Sequence, residues 1–150
     1  MGVDRLRLFL QRHQRVALDT SVFIYQMEVN PRYVVLADFI FSWVEQAGHE
    51  AVTSTITMTE LLVPAYRERD EHRVDEFYGL LSTYPNLRWI APDLETADVA
   101  ARLRAQYRLR TPDALQAATA IQAGATGFLT NDPIFARVKE LKIAVLDELL

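Results

Sequence analysis

The hydrophobic residues of the chain fall into short runs that alternate with stretches of helical spacing. The runs predict five strands, at Arg15–Leu18, Glu50–Ile56, Leu87–Ala91, Gly127–Thr130 and Ile143–Leu146. Helical periodicity is clearest in Tyr33–Ala47, Leu94–Arg108 and Pro112–Ala123. This alternation, with short connections, predicts an α/β domain of three layers, in which a mainly parallel sheet of about five strands is covered by helices on both faces.

The ends and faces of the helical stretches carry further signals. Thr111 is a plausible N-cap, with Pro112 in the first helical position and Gly124 after the last turn. In Tyr33–Ala47, apolar side chains cover most of the circumference, which is typical of a helix buried in a core or an interface. Ligands of parallel sheets bind beyond the carboxyl ends of the strands, so we expect a functional site at that rim.

The composition indicates one domain without disulfides. Of the 150 residues, 50% are hydrophobic and 24% are charged, and no linker or repeat divides the chain, so we expect a single domain over residues 1–150. No window has the ~20 consecutive apolar residues of a membrane span, and the first residues lack the apolar core of a signal peptide, which predicts a cytoplasmic protein. Cysteine is absent, which excludes thiolate nucleophiles and thiolate-bound zinc.

The net charge of −4 argues against a protein that binds nucleic acid through a global positive field. It leaves a nuclease open, because carboxylates that hold divalent cations make an enzyme anionic while the bound ion reverses the local sign. The basic residues are nearly all arginine, with Lys139 and Lys142 as the exceptions. Arginine suits phosphate contacts, but its heavy use can equally reflect genome composition or growth temperature.

Four acidic residues stand at informative positions, and each has a structural explanation when taken alone. Asp19 and Asp132 follow strands and could cap the helices after them. Glu60 lies three residues after Thr57, the spacing of a capping box. Asp113 falls in the first turn of a helix, where the macrodipole favours a negative charge.

Taken together, the same four residues favour a shared site. Asp19, Glu60 and Asp132 each follow a predicted strand, and Asp113 opens a helix that precedes one, so the fold would bring them to one rim of the sheet. Clustered carboxylates repel one another unless a cation or a shared proton offsets the repulsion. Ligation by oxygen alone indicates Mg²⁺ or Mn²⁺.

Four sequence blocks resemble the PIN-domain nucleases, and in particular the VapC-type toxins of prokaryotic toxin–antitoxin pairs. The blocks occur in the family's order, at Val16–Tyr25, Thr57–Leu62, Arg110–Ile121 and Phe128–Phe135. One departure is the stretch before Asp19, which is longer than is usual in these toxins. We expect Met1–His13 to form an additional helix.

The resemblance implies a PIN-like fold and a Mg²⁺- or Mn²⁺-dependent endoribonuclease that leaves 5′-phosphate and 3′-hydroxyl ends. It implies that the catalytic and metal-binding residues are Asp19, Glu60, Asp113 and Asp132. Other groups implied to support the metal ligands or position the substrate are Thr20, Ser21, Thr111, Thr130 and Asn131. The three histidines are dispersed along the chain, so we do not expect imidazole catalysis.

The RNA strand also needs positive groups near an acidic site. Arg110, which leads directly into Asp113, is the first candidate for a substrate-positioning arginine. Other candidates are Arg102, Arg104, Arg108, Arg67, Arg69 and Arg73, all of which also fit a solvated helix face. The resemblance further implies a cognate antitoxin as partner, and together with the apolar breadth of Tyr33–Ala47 it predicts a homodimer.

Two other functions remain open on the sequence. A PIN-type nuclease could process RNA or cut DNA without any toxin role. A binding module could keep the fold and perform no chemistry, although the presence of all four acids counts against it.

Overall fold

The computed structural model describes residues 2–150, so Met1, the first residue of the expected N-terminal helix, lies outside the described residues. In chain order the elements are α1 (Gly2–Leu10), β1 (Arg15–Leu18), α2 (Thr20–Met27), α3 (Val34–Val44), β2 (Glu50–Ser54), α4 (Thr55–Arg67), α5 (Glu71–Ser82), β3 (Leu87–Ile90), α6 (Leu94–Tyr107), α7 (Thr111–Gln122), β4 (Gly127–Thr130), a 3₁₀ helix (Pro133–Arg137), β5 (Lys142–Val145) and α8 (Leu146–Leu149). The additional N-terminal helix is therefore confirmed over Gly2–Leu10.

The five strands form one sheet in the order β3-β2-β1-β4-β5, and every neighbouring pair is parallel. The predicted α/β fold with a parallel sheet of about five strands is thus confirmed. The central strand β1 pairs with β2 on one side and with β4 on the other. Strand order reverses there, and parallel sheets of this kind bind ligands at that point, beyond the carboxyl ends of the strands.

Alternate residues of the strands face two separate cores. On one face, Val16 and Leu18 of β1 pack with buried side chains of α1 to α5. On the other face, Ala17 and Phe128 pack with α6, α7 and the 3₁₀ helix. The period of two along each strand therefore builds the three layers that the sequence predicts.

Most of the apolar surface of α3 is covered inside the chain, with Val35 as an exposed exception. Leu36, Ile40 and Phe41 are buried, and the helix packs against both α1 and α2. Helix α1 thus supplies a second cover for α3, and the apolar breadth of this helix does not by itself require a partner. The helix also ends at Val44, three residues before the predicted Ala47.

Side-chain caps move several predicted boundaries. Strand β2 ends at Ser54, two residues before the predicted Ile56, because the Ser54 hydroxyl accepts a hydrogen bond from the Ile56 N–H and begins α4. Thr57 therefore lies inside α4, and the capping box proposed for Glu60 is wrong. The N-cap of α7 is Arg110 and not Thr111, which is the first residue of the helix.

Helices α5 and α8 were not predicted from the sequence, and α5 is the longer of the two. Its buried residues Val74, Phe77 and Leu81 follow helical spacing within a charged stretch. Asp70 caps it by accepting a hydrogen bond from the Arg73 N–H. These two signals together would have found the helix. Within residues 2–150, no helix has the length and apolarity of a membrane span.

Candidate active site

Asp19 lies at the centre of the carboxyl rim, immediately after β1. Its Oδ1 accepts a hydrogen bond of 2.8 Å from the Thr20 N–H, which makes it the N-cap of α2. Its Oδ2 accepts one of 2.7 Å from the hydroxyl of Thr130, at the end of β4. The carboxylate is therefore fixed by two neighbouring elements at the point where strand order reverses.

Glu60 reaches the same rim from the second turn of α4. Its Oε1 accepts a hydrogen bond of 2.8 Å from the Thr20 hydroxyl. The residue is exposed, so its carboxylate faces solvent while Thr20 beneath it is buried. Thr20 thus connects the first acid, through its backbone, to the second acid, through its side chain.

Asp113 lies in the first turn of α7, and its side chain is 17% exposed. The Nε of Arg110 lies 3.8 Å from Asp113 Oδ2, while the Arg110 side chain is itself 80% exposed. Arg110 therefore holds a guanidinium at the edge of the acidic site with most of its surface free.

Asp132 is exposed and follows β4 by two residues. Its Oδ1 accepts a hydrogen bond of 3.0 Å from the Ile134 N–H and caps the 3₁₀ helix, as the structural explanation predicted. Its own N–H donates to the Thr130 hydroxyl at 3.0 Å, and that hydroxyl in turn donates to Asp19. Asp19 and Asp132 are therefore joined through Thr130.

The electrostatics of the rim show that the carboxylates act on one another. Burial raises the pKa of Asp19 from its ordinary 3.8 to about 6, hydrogen bonds from Thr130 and Thr20 oppose that rise, and Glu60 and Asp113 add to it. Burial also raises the pKa of Asp113, against the lowering effect of Arg110, and the charges of Asp132 and Glu60 raise it further. Each of the four predicted acids therefore affects, or is affected by, the ionisation of another.

The donor chemistry of the rim fits a hard divalent cation, because the four side chains offer carboxylate oxygens alone. Among residues 2–150, however, no group of three or more His, Asp or Glu side chains lies close enough to hold a metal ion by direct contact. Mg²⁺ characteristically keeps several water ligands and contacts one or two carboxylates. A largely hydrated ion that contacts one or two of these carboxylates would be compatible with this arrangement.

The remaining predicted site residues divide into buried supports and exposed groups. Ser21 lies 3.5 Å from Asp19 Oδ2 and accepts a hydrogen bond from the Asn131 N–H. The Asn131 side chain donates to the Tyr25 hydroxyl and accepts from the Asp147 N–H, so both of its amide atoms are occupied by the protein. Thr130 is fully buried, whereas Thr111 is exposed at the start of α7.

Sequence analysis missed a set of buried polar side chains beneath the acids, namely Thr53, Thr57 and Gln116. They link β2, α4 and α7 by hydrogen bonds. A signal was available, because Gln116 is a polar residue in an otherwise apolar stretch on the inner face of α7. A polar residue at a core position requires a partner, so this position pointed to a buried network.

The family comparison agrees with this geometry. A family model described as the PIN domain matches residues 16–141, which include all four acids and leave out α1. The chain belongs to the PIN-domain family. PIN domains are nucleases, and membership makes hydrolysis of phosphodiester bonds the activity class of this protein. A search of curated proteins gives no match.

Solved structures with the PIN fold of this chain include several toxin–antitoxin complexes. VapBC2 from Rickettsia felis, bound to a DNA fragment from its promoter, superposes with a TM-score of 0.66 at 17% identity, covering 87% of this chain and 97% of that chain. A toxin–antitoxin complex from Klebsiella pneumoniae gives a TM-score of 0.66 at 23% identity with the same coverage. DNA-bound VapBC from Salmonella typhimurium gives 0.62 at 19% identity, covering 87% and 96%. At these identities the likeness establishes the PIN fold.

Proposed function

We propose that this PIN-domain protein is a metal-dependent endoribonuclease that acts through Asp19, Glu60, Asp113 and Asp132. The observation that carries the proposal is the position of Asp19, a partly buried carboxylate at the switch point of the sheet, whose pKa is raised mainly by burial and further by the charges of Glu60 and Asp113. A protein gains nothing in stability from holding like charges together, so such a cluster favours a cation site.

The chain's own residues have distinct tasks in this mechanism. Asp19 and Glu60 are held by hydrogen bonds from Thr130 and Thr20, which keep their oxygens directed at one rim. The chemistry that Mg²⁺ or Mn²⁺ would supply when held by these carboxylates is activation of a water molecule and neutralisation of charge on the phosphate. Arg110 is exposed beside Asp113. Its guanidinium can attract a substrate phosphate, which the carboxylates would otherwise repel.

Among the other candidate arginines, two are used by the fold. Arg73 pairs with Glu68 at 3.0 Å and with Glu28 at 3.4 Å, and its guanidinium lies over the Phe77 ring. Arg104 donates through Nε to the Leu109 carbonyl. These contacts favour Arg110, which lies beside Asp113, over Arg73 and Arg104 as the substrate-binding arginine.

We further propose that the protein is the toxin of a toxin–antitoxin pair, acts on RNA in the cytoplasm, binds a cognate antitoxin and forms a homodimer. The support is the family resemblance and the fact that the solved PIN structures described above are toxin–antitoxin complexes. The homodimer rests on the resemblance alone, because α3 is covered within the chain. Antitoxin binding is expected to suppress cleavage in the assay described next.

The decisive experiment is cleavage of a single-stranded RNA by the purified protein in Mg²⁺ or Mn²⁺ and in EDTA. We expect cleavage only with the metal ion, and a loss of roughly 100-fold or more when Asp19→Asn or Asp113→Asn removes a charge, since the ion's electrostatic work depends on its ligands. Asp70→Asn is the matched control, because Asp70 is also an N-cap aspartate but belongs to α5. Full cleavage in EDTA, or cleavage of single-stranded DNA and not RNA, would contradict the proposal.

A further inference from the structure

A branched chain of hydrogen bonds starts at Gln116 under the acidic rim, and one branch ends on the Leu18 carbonyl while the other ends on Glu60. The Gln116 Nε2 lies 2.8 Å from the Thr57 hydroxyl, and that hydroxyl lies 2.8 Å from the hydroxyl of Thr53. The Thr53 hydroxyl donates to the Leu18 carbonyl at 2.9 Å. Gln116 Nε2 also lies 3.5 Å from the Thr20 hydroxyl, which donates to Glu60 at 2.8 Å.

Counting hydrogens fixes the direction of this chain. Four of its contacts are short, at 2.8 to 2.9 Å, and each needs one hydrogen. The hydroxyls of Thr20, Thr53 and Thr57 supply one hydrogen each, which makes three. The Leu18 carbonyl and the Glu60 carboxylate can only accept. The fourth hydrogen must therefore come from the Gln116 amide, whose N–H donates to Thr57, so that Thr57 donates to Thr53 and Thr53 to Leu18.

The same accounting explains why the Thr20 hydroxyl points at Glu60. Thr57 Oγ1 lies 3.3 Å from Thr20 Oγ1 and competes with Glu60 for the Thr20 hydrogen. Thr57 Oγ1 already accepts the shorter bond from Gln116, so a second donor at 3.3 Å gains little there, and the second amide hydrogen of Gln116 faces Thr20 Oγ1. The Thr20 hydrogen is then free for the carboxylate, where a charge-assisted bond is stronger than a bond to a neutral hydroxyl.

We propose that Gln116 is a positioning residue that orients Glu60 for catalysis by setting the direction of the Thr57 and Thr20 hydroxyls. This inference rests on the proposed nuclease function. Gln116, Thr57 and Thr20 are all buried, at 3%, 0% and 6% exposure, so water does not substitute readily for a missing donor. Gln116 lies three residues after Asp113 on α7, and the chain therefore ties the helix of the third acid to that of the second.

The first test replaces the amide by an apolar side chain of similar length. Gln116→Met should lower kcat for RNA and weaken Mn²⁺ binding, measured by electron paramagnetic resonance, each by roughly 10- to 100-fold, the usual effect of losing a residue that orients metal ligands. KM for RNA should stay within about twofold, because the substrate surface is untouched. Gln122→Met is the matched control, an exposed glutamine on the same helix, and should match the wild type.

A second pair of variants separates the hydrogen-bond chain from packing. Thr57→Val keeps the shape and removes the hydroxyl, and should reproduce the loss of kcat, whereas Thr57→Ser should recover most of it. The double variant Gln116→Met with Thr57→Val should have a kcat no lower than that of the poorer single variant, because both substitutions break the same chain of hydrogen bonds. Additive losses, or equal activity of the valine and serine variants, would overturn the proposal.

A third measurement does not depend on nuclease activity. The side-chain NH₂ of Gln116 in the wild-type protein should exchange with solvent far more slowly than that of Gln122, observed by nuclear magnetic resonance. Exchange at the same rate as Gln122 would overturn the inference about Gln116 itself. Slow exchange in a protein that neither binds Mn²⁺ nor cleaves RNA would instead refute the proposed function. The catalytic role inferred for the chain of hydrogen bonds would then be refuted with it.

Discussion

At the scale of single residues, structural and functional explanations of an acid do not exclude each other. Asp19 caps α2 with one oxygen while its other oxygen is held by Thr130 among further acids. Asp132 likewise caps the 3₁₀ helix and acts electrostatically on Asp113. Helix N-termini place acids at the carboxyl rim of a parallel sheet, because each strand there is followed by a helix. A cap is thus a natural position for a metal-binding acid.

The raised pKa of Asp19 predicts a pH dependence of stability in EDTA. Because the folded-state value of about 6 exceeds the ordinary 3.8, the fold favours the protonated form. This contribution is fully present below pH 3.8 and is lost as pH rises through about 6. The shift corresponds to on the order of 3 kcal/mol at the conversion of 1.36 kcal/mol per pKa unit.

Asp19→Asn should lack this dependence, since the amide does not ionise. Urea unfolding of both proteins between pH 4 and about 7 measures the difference directly. The stability of the variant relative to the wild type should rise across that range. A constant difference at every pH would show that burial does not raise the Asp19 pKa.

At the scale of elements, α1 is expected to act as part of the core. It lies before the residues that the PIN-domain model matches, yet its Leu6 is fully buried in the cluster that contains Leu36 and Ile40. Leu6→Ala should therefore cost about 2 to 5 kcal/mol of unfolding free energy, the range for a buried leucine. The control is Leu8→Ala on the same helix, where the side chain is 58% exposed and the change should stay within about 0.5 kcal/mol.

The unfolding free energies of the two variants, measured by chemical denaturation at one pH, show whether α1 is part of the core or only lies on its surface. Equal and small losses for Leu6→Ala and Leu8→Ala would mean that α1 detaches without cost. In that case α3 would present its apolar face to solvent or to a partner, and the covered face described above would not exist in solution.

The sequence predicts elements well where one local pattern decides them. Strand β1 and strand β4 have the predicted bounds, and Gly124, with φ of 76°, follows the end of α7 as expected. The end of β2 was missed because Ser54 could continue the strand or cap a helix, and the choice depends on the packing of α4. The cover that α1 gives to α3 was also hidden, since contacts between distant helices leave no local signal.

For the site, the order of the motifs along the sequence predicted the four acids, but it did not predict the buried polar side chains beneath them. Asp19, Glu60, Asp113 and Asp132 stand in motif blocks whose elements end at one rim. Thr53, Thr57 and Gln116 matter through hydrogen bonds between β2, α4 and α7, which span up to 59 positions of sequence. Such partners cannot be paired without knowing which helix faces which strand.

At the scale of the whole molecule, folding stability should report metal binding. In the metal-free protein burial and the charges of Asp132 and Glu60 raise the pKa of Asp113 despite Arg110, so Asp113→Asn should raise the melting temperature in EDTA. In Mg²⁺ at roughly 100 times its Kd, the wild type should gain about 2.7 kcal/mol by mass action. For a chain of this size that gain is about 5 to 10 °C. The variant has lost a ligand and should gain less.

The two melting temperatures should therefore exchange order between EDTA and Mg²⁺. Asp132→Asn is the companion variant, because asparagine caps a helix about as well as aspartate and leaves the hydrogen bond to Ile134 in place. If Asp132 acts only as a cap, its variant should follow the wild type within about 0.5 kcal/mol in both solutions. If it belongs to the cation site, its curve should cross that of the wild type as the Asp113→Asn curve does. Parallel curves for both variants would mean that neither acid takes part in holding a metal ion.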